Sequence, residues 1–77
     1  MITVLFFAHL QEVVGSEKIT LDLESMSVTE LKTELEKRYE FKNLNQIMFA
    51  INEEYAIDID VIKAGDTVAL IPPVSGG

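Results

Sequence analysis

Near the start of the chain, Ile2-Thr3-Val4-Leu5-Phe6-Phe7-Ala8 holds a single polar side chain, that of Thr3. β-Branched and aromatic residues dominate, as they do in strands. A run this apolar fits a strand buried on both faces in the middle of a sheet. A second such run, Thr67-Val68-Ala69-Leu70-Ile71, reads as the last strand. Pro72-Pro73 must end it, because proline has no amide proton for the ladder.

Between these runs the elements follow in order. In residues 9–15, Leu10, Val13 and Val14 recur at helical spacing, and Gly15 can close a turn in the left-handed conformation. One or two helical turns are expected there. Residues 18–23 alternate, with Ile19, Leu21 and Leu23 on one face, as in a half-buried strand antiparallel to the first. Ser27-Val28-Thr29-Glu30 has the form of a capping box, with Met26 and Leu31 placed for a hydrophobic staple. The helix it opens is predicted to reach Tyr39 or Glu40 and to bury Val28, Leu31, Leu35 and Tyr39. Glu34 and Arg38 form an i,i+4 pair worth roughly a few tenths of a kcal/mol. Residues 41–46 form a polar connection. Residues 47–51 are a third strand, Asn52-Glu53-Glu54 a turn, and residues 55–57 a short return strand. Residues 59–62 fit either a loop or a helical turn. Lys63-Ala64-Gly65-Asp66 is a tight turn, with glycine where φ is positive.

The order β-β-α-β-β-β, with a single main helix, favours one helix packed on one face of a sheet. It is an α+β arrangement that resembles the ubiquitin-like β-grasp. That fold implies a mixed sheet of about five strands, with the first and last strands parallel at its centre. The two apolar end runs fit those places. Residues 1–71 then form the domain and residues 72–77 an extended tail.

At 77 residues the chain is one domain with a modest core, which its 48% hydrophobic content fills amply. Six Lys+Arg against thirteen Asp+Glu leave a net charge of −7, which argues against nucleic acid and for a basic protein face as partner. There is no cysteine, so disulfides, persulfides and thiolate metal sites on this chain are excluded. The apolar opening lacks a basic n-region and a cleavage site and is too short to span a bilayer; a cytoplasmic protein without membrane contact is expected. No metal site is expected either. Asp58 and Asp60, near Glu53 and Glu54, read as a solvated acidic loop, since no glycine-turn ligand loop surrounds them. His9 reads as a structural or surface residue. Phe6 and Phe7, on opposite faces of a strand, read as core, and Met26 and Met48 as gap fillers. Neither a Gly-rich phosphate loop nor a recognisable Ser/His/Asp spacing occurs.

Chemistry is expected instead at Gly76-Gly77, half of the four glycines. At ordinary glycine usage two chosen positions are both glycine about 0.5% of the time. Pro72-Pro73 favour a stiff extended exit, which Val74 and Ser75 continue. The glycine pair narrows it to bare backbone that can thread a crevice. A free carboxylate is inert to nucleophiles until ATP converts it to an acyl-adenylate. Sulfide then gives a thiocarboxylate, and an amine gives an amide. Without cysteine, any sulfur this chain carries must sit on its backbone terminus.

Leu5-Phe6-Phe7-Ala8-His9-Leu10-Gln11-Glu12-Val13-Val14-Gly15, Ala64-Gly65-Asp66-Thr67-Val68-Ala69 and, above all, Pro72-Pro73-Val74-Ser75-Gly76-Gly77 resemble the small subunits of molybdopterin synthase, the sulfur carriers of molybdenum cofactor biosynthesis. The resemblance covers the whole length. Gln11 and Ala64 depart from it, where many members carry arginine and aspartate. It implies that an adenylyltransferase of the ubiquitin-activating type uses ATP to adenylate Gly77, which then becomes a thiocarboxylate. It implies no permanently bound cofactor. The loaded tail, Pro72, Pro73, Val74, Ser75 and Gly76 leading to Gly77, enters the large synthase subunit and gives sulfur to cyclic pyranopterin monophosphate. The family assembly is a heterotetramer, with catalytic side chains on the large subunit.

A thiamine-pathway sulfur carrier and a ubiquitin-like protein modifier are the competing readings, and a pure interaction domain with an idle tail is a third. A mostly apolar docking face for the large subunit is expected near the last strand, at Leu70, Ile71 and Val74, with an interior place for Leu70 as the alternative.

Overall fold

The structure is a computed structural model and describes residues 1–41 and 44–73. The chain order is β1 (Ile2–Phe6), α1 (Leu10–Val14), β2 (Lys18–Leu21), β3 (Ser25–Ser27), α2 (Val28–Arg38), a 3-10 turn (Leu44–Gln46), β4 (Met48–Ile51), β5 (Glu54–Ala56), β6 (Val61–Lys63) and β7 (Thr67–Ile71). Five strands form one mixed sheet in the order β2-β1-β7-β4-β5, and β3 with β6 forms a small second sheet. The two apolar end runs lie side by side. β1 pairs with β7 in parallel, Thr3 beside Thr67 through Phe6 beside Leu70, and the other pairs of the large sheet are antiparallel. This is the expected ubiquitin-like β-grasp.

One face of the sheet carries the core. Ile2, Val4 and Phe6 of β1, Phe49 of β4, and Val68 and Leu70 of β7 pack in one cluster with Val28, Leu31 and Leu35 of α2. Each of these side chains contributes roughly 1.5–3 kcal/mol by leaving water. Tyr39 caps α2 in extended conformation, half-buried, and the rings of Phe6, Tyr39 and Phe41 meet at centroid distances of 5.9–6.5 Å. The capping box forms as read. Glu30 N donates to Ser27 Oγ at 3.1 Å, and Ser27 N donates to Glu30 Oε1 at 2.9 Å. The loop before β6 completes the helix N-terminus, since Val28 N donates to Asp60 O and Thr29 N to Asp58 O.

Four expectations are corrected. β1 is buried on one face only. Ile2, Val4 and Phe6 are inside, while Thr3 and Leu5 are half-buried on the open side. Phe7 lies past the end of β1 and is 44% exposed, so it is not core. Met48 pairs opposite Ile71 on the open side of the sheet and fills no internal gap. Val61 and Ile62, read within a loop or helical turn, and Lys63, read as the start of the next turn, form β6 against β3, a strand too short to show a periodicity. Leu23 and Val13 also face solvent, Leu23 because β2 stops at Leu21.

The pole of the sheet that carries Met1 is tied by side chains. Gly65 takes φ 92° in the β6–β7 turn and its amide donates to Met1 O. Asp66 accepts from Lys63 N through one carboxylate oxygen and from Asn52 Nδ2 through the other, and Asn52 Oδ1 accepts from Thr67 N. These hydrogen bonds, the Lys63 amide first and Asn52 second, hold the Asp66 carboxyl below its ordinary value of 3.8. The β4–β5 turn is strained, with φ 50° at Asn52 and 71° at Glu53. A two-residue hairpin of this kind asks for Asn-Gly, and Glu53 has a Cβ where glycine belongs.

Glu53→Gly is therefore expected to stabilise the protein by about 0.5–1 kcal/mol, read as a higher urea midpoint with an unchanged slope. Asp66 supplies a pH signature of known sign. Its folded-state pKa is depressed, so its contribution is complete above the unfolded-chain value and disappears as pH falls through the folded value. Stability is expected to decline on acidification below about pH 5, and Asp66→Asn to flatten that decline. Identical acid slopes for the two proteins would contradict the assignment.

Candidate functional site

The tail leaves the sheet from its centre. β7 alternates, with Val68 and Leu70 inside and Thr67, Ala69 and Ile71 on the open face. Pro72 is half-buried and Pro73 exposed, and neither belongs to a strand. Val74, Ser75, Gly76 and Gly77, the residues expected to carry the chemistry, lie outside the described residues. What the structure supplies is the ground from which they depart.

Leu70 is corrected here. It is 0% exposed, beside Phe6 and Phe49 in the core, and forms no part of a docking face. Parity decides this. β1 and β7 are in phase, so Val68 and Leu70 share the side of Val4 and Phe6. Ile71 is half-buried on the opposite side of the sheet.

Around Ile71 the open face of the sheet is apolar. A hollow of about 690 Å³ is lined by Leu5 and Phe7 from the β1 side, Ala69 and Ile71 from β7, Ala50 from β4 and Tyr55 from β5, with Asn52, Glu53 and Thr67 as its polar end. Tyr55 is 70% exposed. Sequence reasoning missed Phe7, Tyr55 and Met48 as surface residues. Their signal was phase. Phe7 follows Leu5 by two, Met48 pairs with Ile71, and Tyr55 pairs with Ala50.

The acidic residues near β6 have structural partners. Asp58 Oδ1 pairs with Lys32 Nζ at 2.6 Å, and Asp60 Oδ2 accepts from Ile57 N at 2.9 Å. Lys32 Nζ also lies 5.4 Å from the centroid of the Phe49 ring. Among the described residues no group of three or more His, Cys, Asp and Glu is placed to hold a metal. No helix of the described residues is long and apolar enough to cross a membrane. His9 precedes α1 and is exposed, without a side-chain capping bond. Among the described residues, the open face of the sheet thus carries a hollow beside the strand that leads to Pro72 and Pro73.

The sequence matches the ThiS family over residues 4–77. It is 38% identical to the molybdopterin synthase sulfur carrier subunit of Arabidopsis thaliana, over 99% of this chain and 82% of that protein. The human protein of the same name is 35% identical, with 99% and 93% covered. Among solved structures, the putative molybdopterin converting factor subunit 1 of Pyrococcus furiosus superposes with a TM-score of 0.81 at 26% identity, covering 95% of this chain and 97% of that one. SAMP1 of Haloferax volcanii superposes at 0.76 with 32% identity, 99% and 98% covered. A chain from the complex of subunits 1 and 2 of the Helicobacter pylori molybdopterin-converting factor superposes at 0.71 with 26% identity, 99% and 97% covered. With its β-grasp fold and these full-length relatives, the chain belongs to the ThiS family and, within it, to the molybdopterin synthase sulfur carrier subunits.

Proposed function

We propose that Gly77 carries sulfur as a terminal thiocarboxylate. The Gly77 carboxylate attacks ATP on an adenylyltransferase of the ubiquitin-activating kind, releasing pyrophosphate. Sulfide displaces AMP from the acyl-adenylate, its sulfur taking the bond to the Gly77 carbonyl carbon, and loses its proton to leave the thiocarboxylate. The loaded tail then enters the large subunit of molybdopterin synthase, where sulfur passes to cyclic pyranopterin monophosphate and water restores the carboxylate oxygen. Two such transfers make the dithiolene. The working unit is a heterotetramer in the cytoplasm. The small subunit brings the sulfur and the large subunit brings the catalytic side chains. ATP is used by the activating enzyme and is not retained.

The observation that carries this reading is the central β7 running straight into Pro72-Pro73, in a chain whose family match extends to residue 77. A tail rooted in the middle of a rigid sheet has a fixed point of departure. The Helicobacter complex of subunits 1 and 2 supports the large subunit as partner. The hollow around Ile71, with Phe7 and Tyr55, is the face on which that subunit docks.

Incubation with the activating enzyme, ATP and a sulfur donor should raise the intact mass by the difference between sulfur and oxygen. An unchanged mass would refute the proposal. Gly76→Val and Gly77→Val are expected to leave the fold intact and abolish transfer, because each places a branched side chain in the crevice. Full turnover by Gly77→Val would contradict it. Tyr55→Asp and Val74→Asp are each expected to weaken large-subunit binding at least tenfold, about 1.4 kcal/mol, by calorimetry.

The likeness to SAMP1 favours one second reading, a modifier that joins Gly77 to lysines of other proteins. Isopeptide adducts ending in Gly77 on cellular proteins would favour it over the carrier.

A further inference from the structure

Pro73 is also a wall of a cleft of about 360 Å³, which it shares with His9, Val13, Glu40, Phe41 and Ile47. The cleft has no residue in common with the hollow on the open face of the sheet. Its lining is mostly apolar, and Val13, 40% exposed, is an aliphatic residue with no evident reason to face water.

We infer that this cleft is a socket for an apolar side chain on the rim of the large subunit's tail channel, with a basic residue beside it facing Glu40. The inference rests on the tail-insertion reading above. Val74 to Gly77 are four residues and span at most about 14 Å when extended. For the last carbonyl to reach the bottom of an enclosed channel, the mouth of that channel must come up against Pro73. A surface pressed on Pro73 is pressed on the cleft that Pro73 helps to form. An apolar hollow left unfilled at that contact forfeits dispersion contacts on every wall, so a protruding aliphatic or aromatic side chain fits there. Among the described residues, Glu40 is the one carboxylate in the cleft's lining, and a basic residue of the partner set beside the socket would pair with it.

Val13→Trp tests this by filling the cleft from an exposed position, and Val13→Ala serves as the control that leaves it open. Both are made as full-length thiocarboxylates by thiolysis of an intein fusion, so loading does not depend on the activating enzyme. Calorimetry against the purified large subunit should show the dissociation constant rising at least tenfold for Val13→Trp and less than threefold for Val13→Ala. Glu40→Lys should weaken binding and reduce its dependence on salt. Amide spectra check the fold, and Gln46→Trp, at the exposed rim, fills the same cleft if Val13→Trp disturbs it. Native affinity in a folded, cleft-filled variant would overturn the socket. Failure of the unsubstituted thiocarboxylate to transfer sulfur would instead count against the carrier reading, since the binding measurement does not depend on it.

Discussion

The parallel pairing of β1 with β7 is the constraint on which the rest of the molecule depends. It joins two strongly apolar segments from opposite ends of the chain in the centre of the sheet and sets their side chains in phase, Val4 with Val68 and Phe6 with Leu70. One face of the sheet thereby becomes the bed for α2, and the other becomes a shallow apolar surface that the domain leaves open. The same pairing directs the chain out of the sheet next to Phe7 and His9. A terminal strand at an edge would leave the tail a softer root, since edge pairing is the first to fray.

The helix is a case of local and distant signals agreeing. Ser27 and Glu30 were legible as a capping box because the bonds involved span three residues. The remaining partners of the helix start, the carbonyls of Asp58 and Asp60, come from about thirty residues away and left no mark in the sequence near Ser27. The acidic loop that carries them is a helix cap. It is bound by Lys32 through Asp58 and folded on itself through Asp60.

Most of the fold was legible because strands β1, β4 and β7, the cap and the Gly65 turn each leave a local pattern. Three things were not. β3 and β6 are three residues long, and a period of two cannot establish itself over Ser25-Met26-Ser27. Continuous apolar runs hide which face is open, so Phe7 and Met48 read as interior. Leu70 was the sharpest case. Ile71 and Leu70 are chemically alike, and only the register with β1 assigns one to the core and the other to the surface. The tail was legible by composition alone, whereas the ground beside it, the hollow near Tyr55 and the cleft near Val13, depends on residues distant in sequence.

Parallel central strands also separate the two ends of the domain. Met1 O is held by Gly65 N where β7 begins, and Pro73 stands beyond its far end, a five-residue strand of about 16 Å away. A fluorophore or purification handle joined ahead of Met1 therefore emerges at the pole opposite Pro73 and the cleft that Pro73 walls, leaving that cleft unobstructed for kinetic or imaging work.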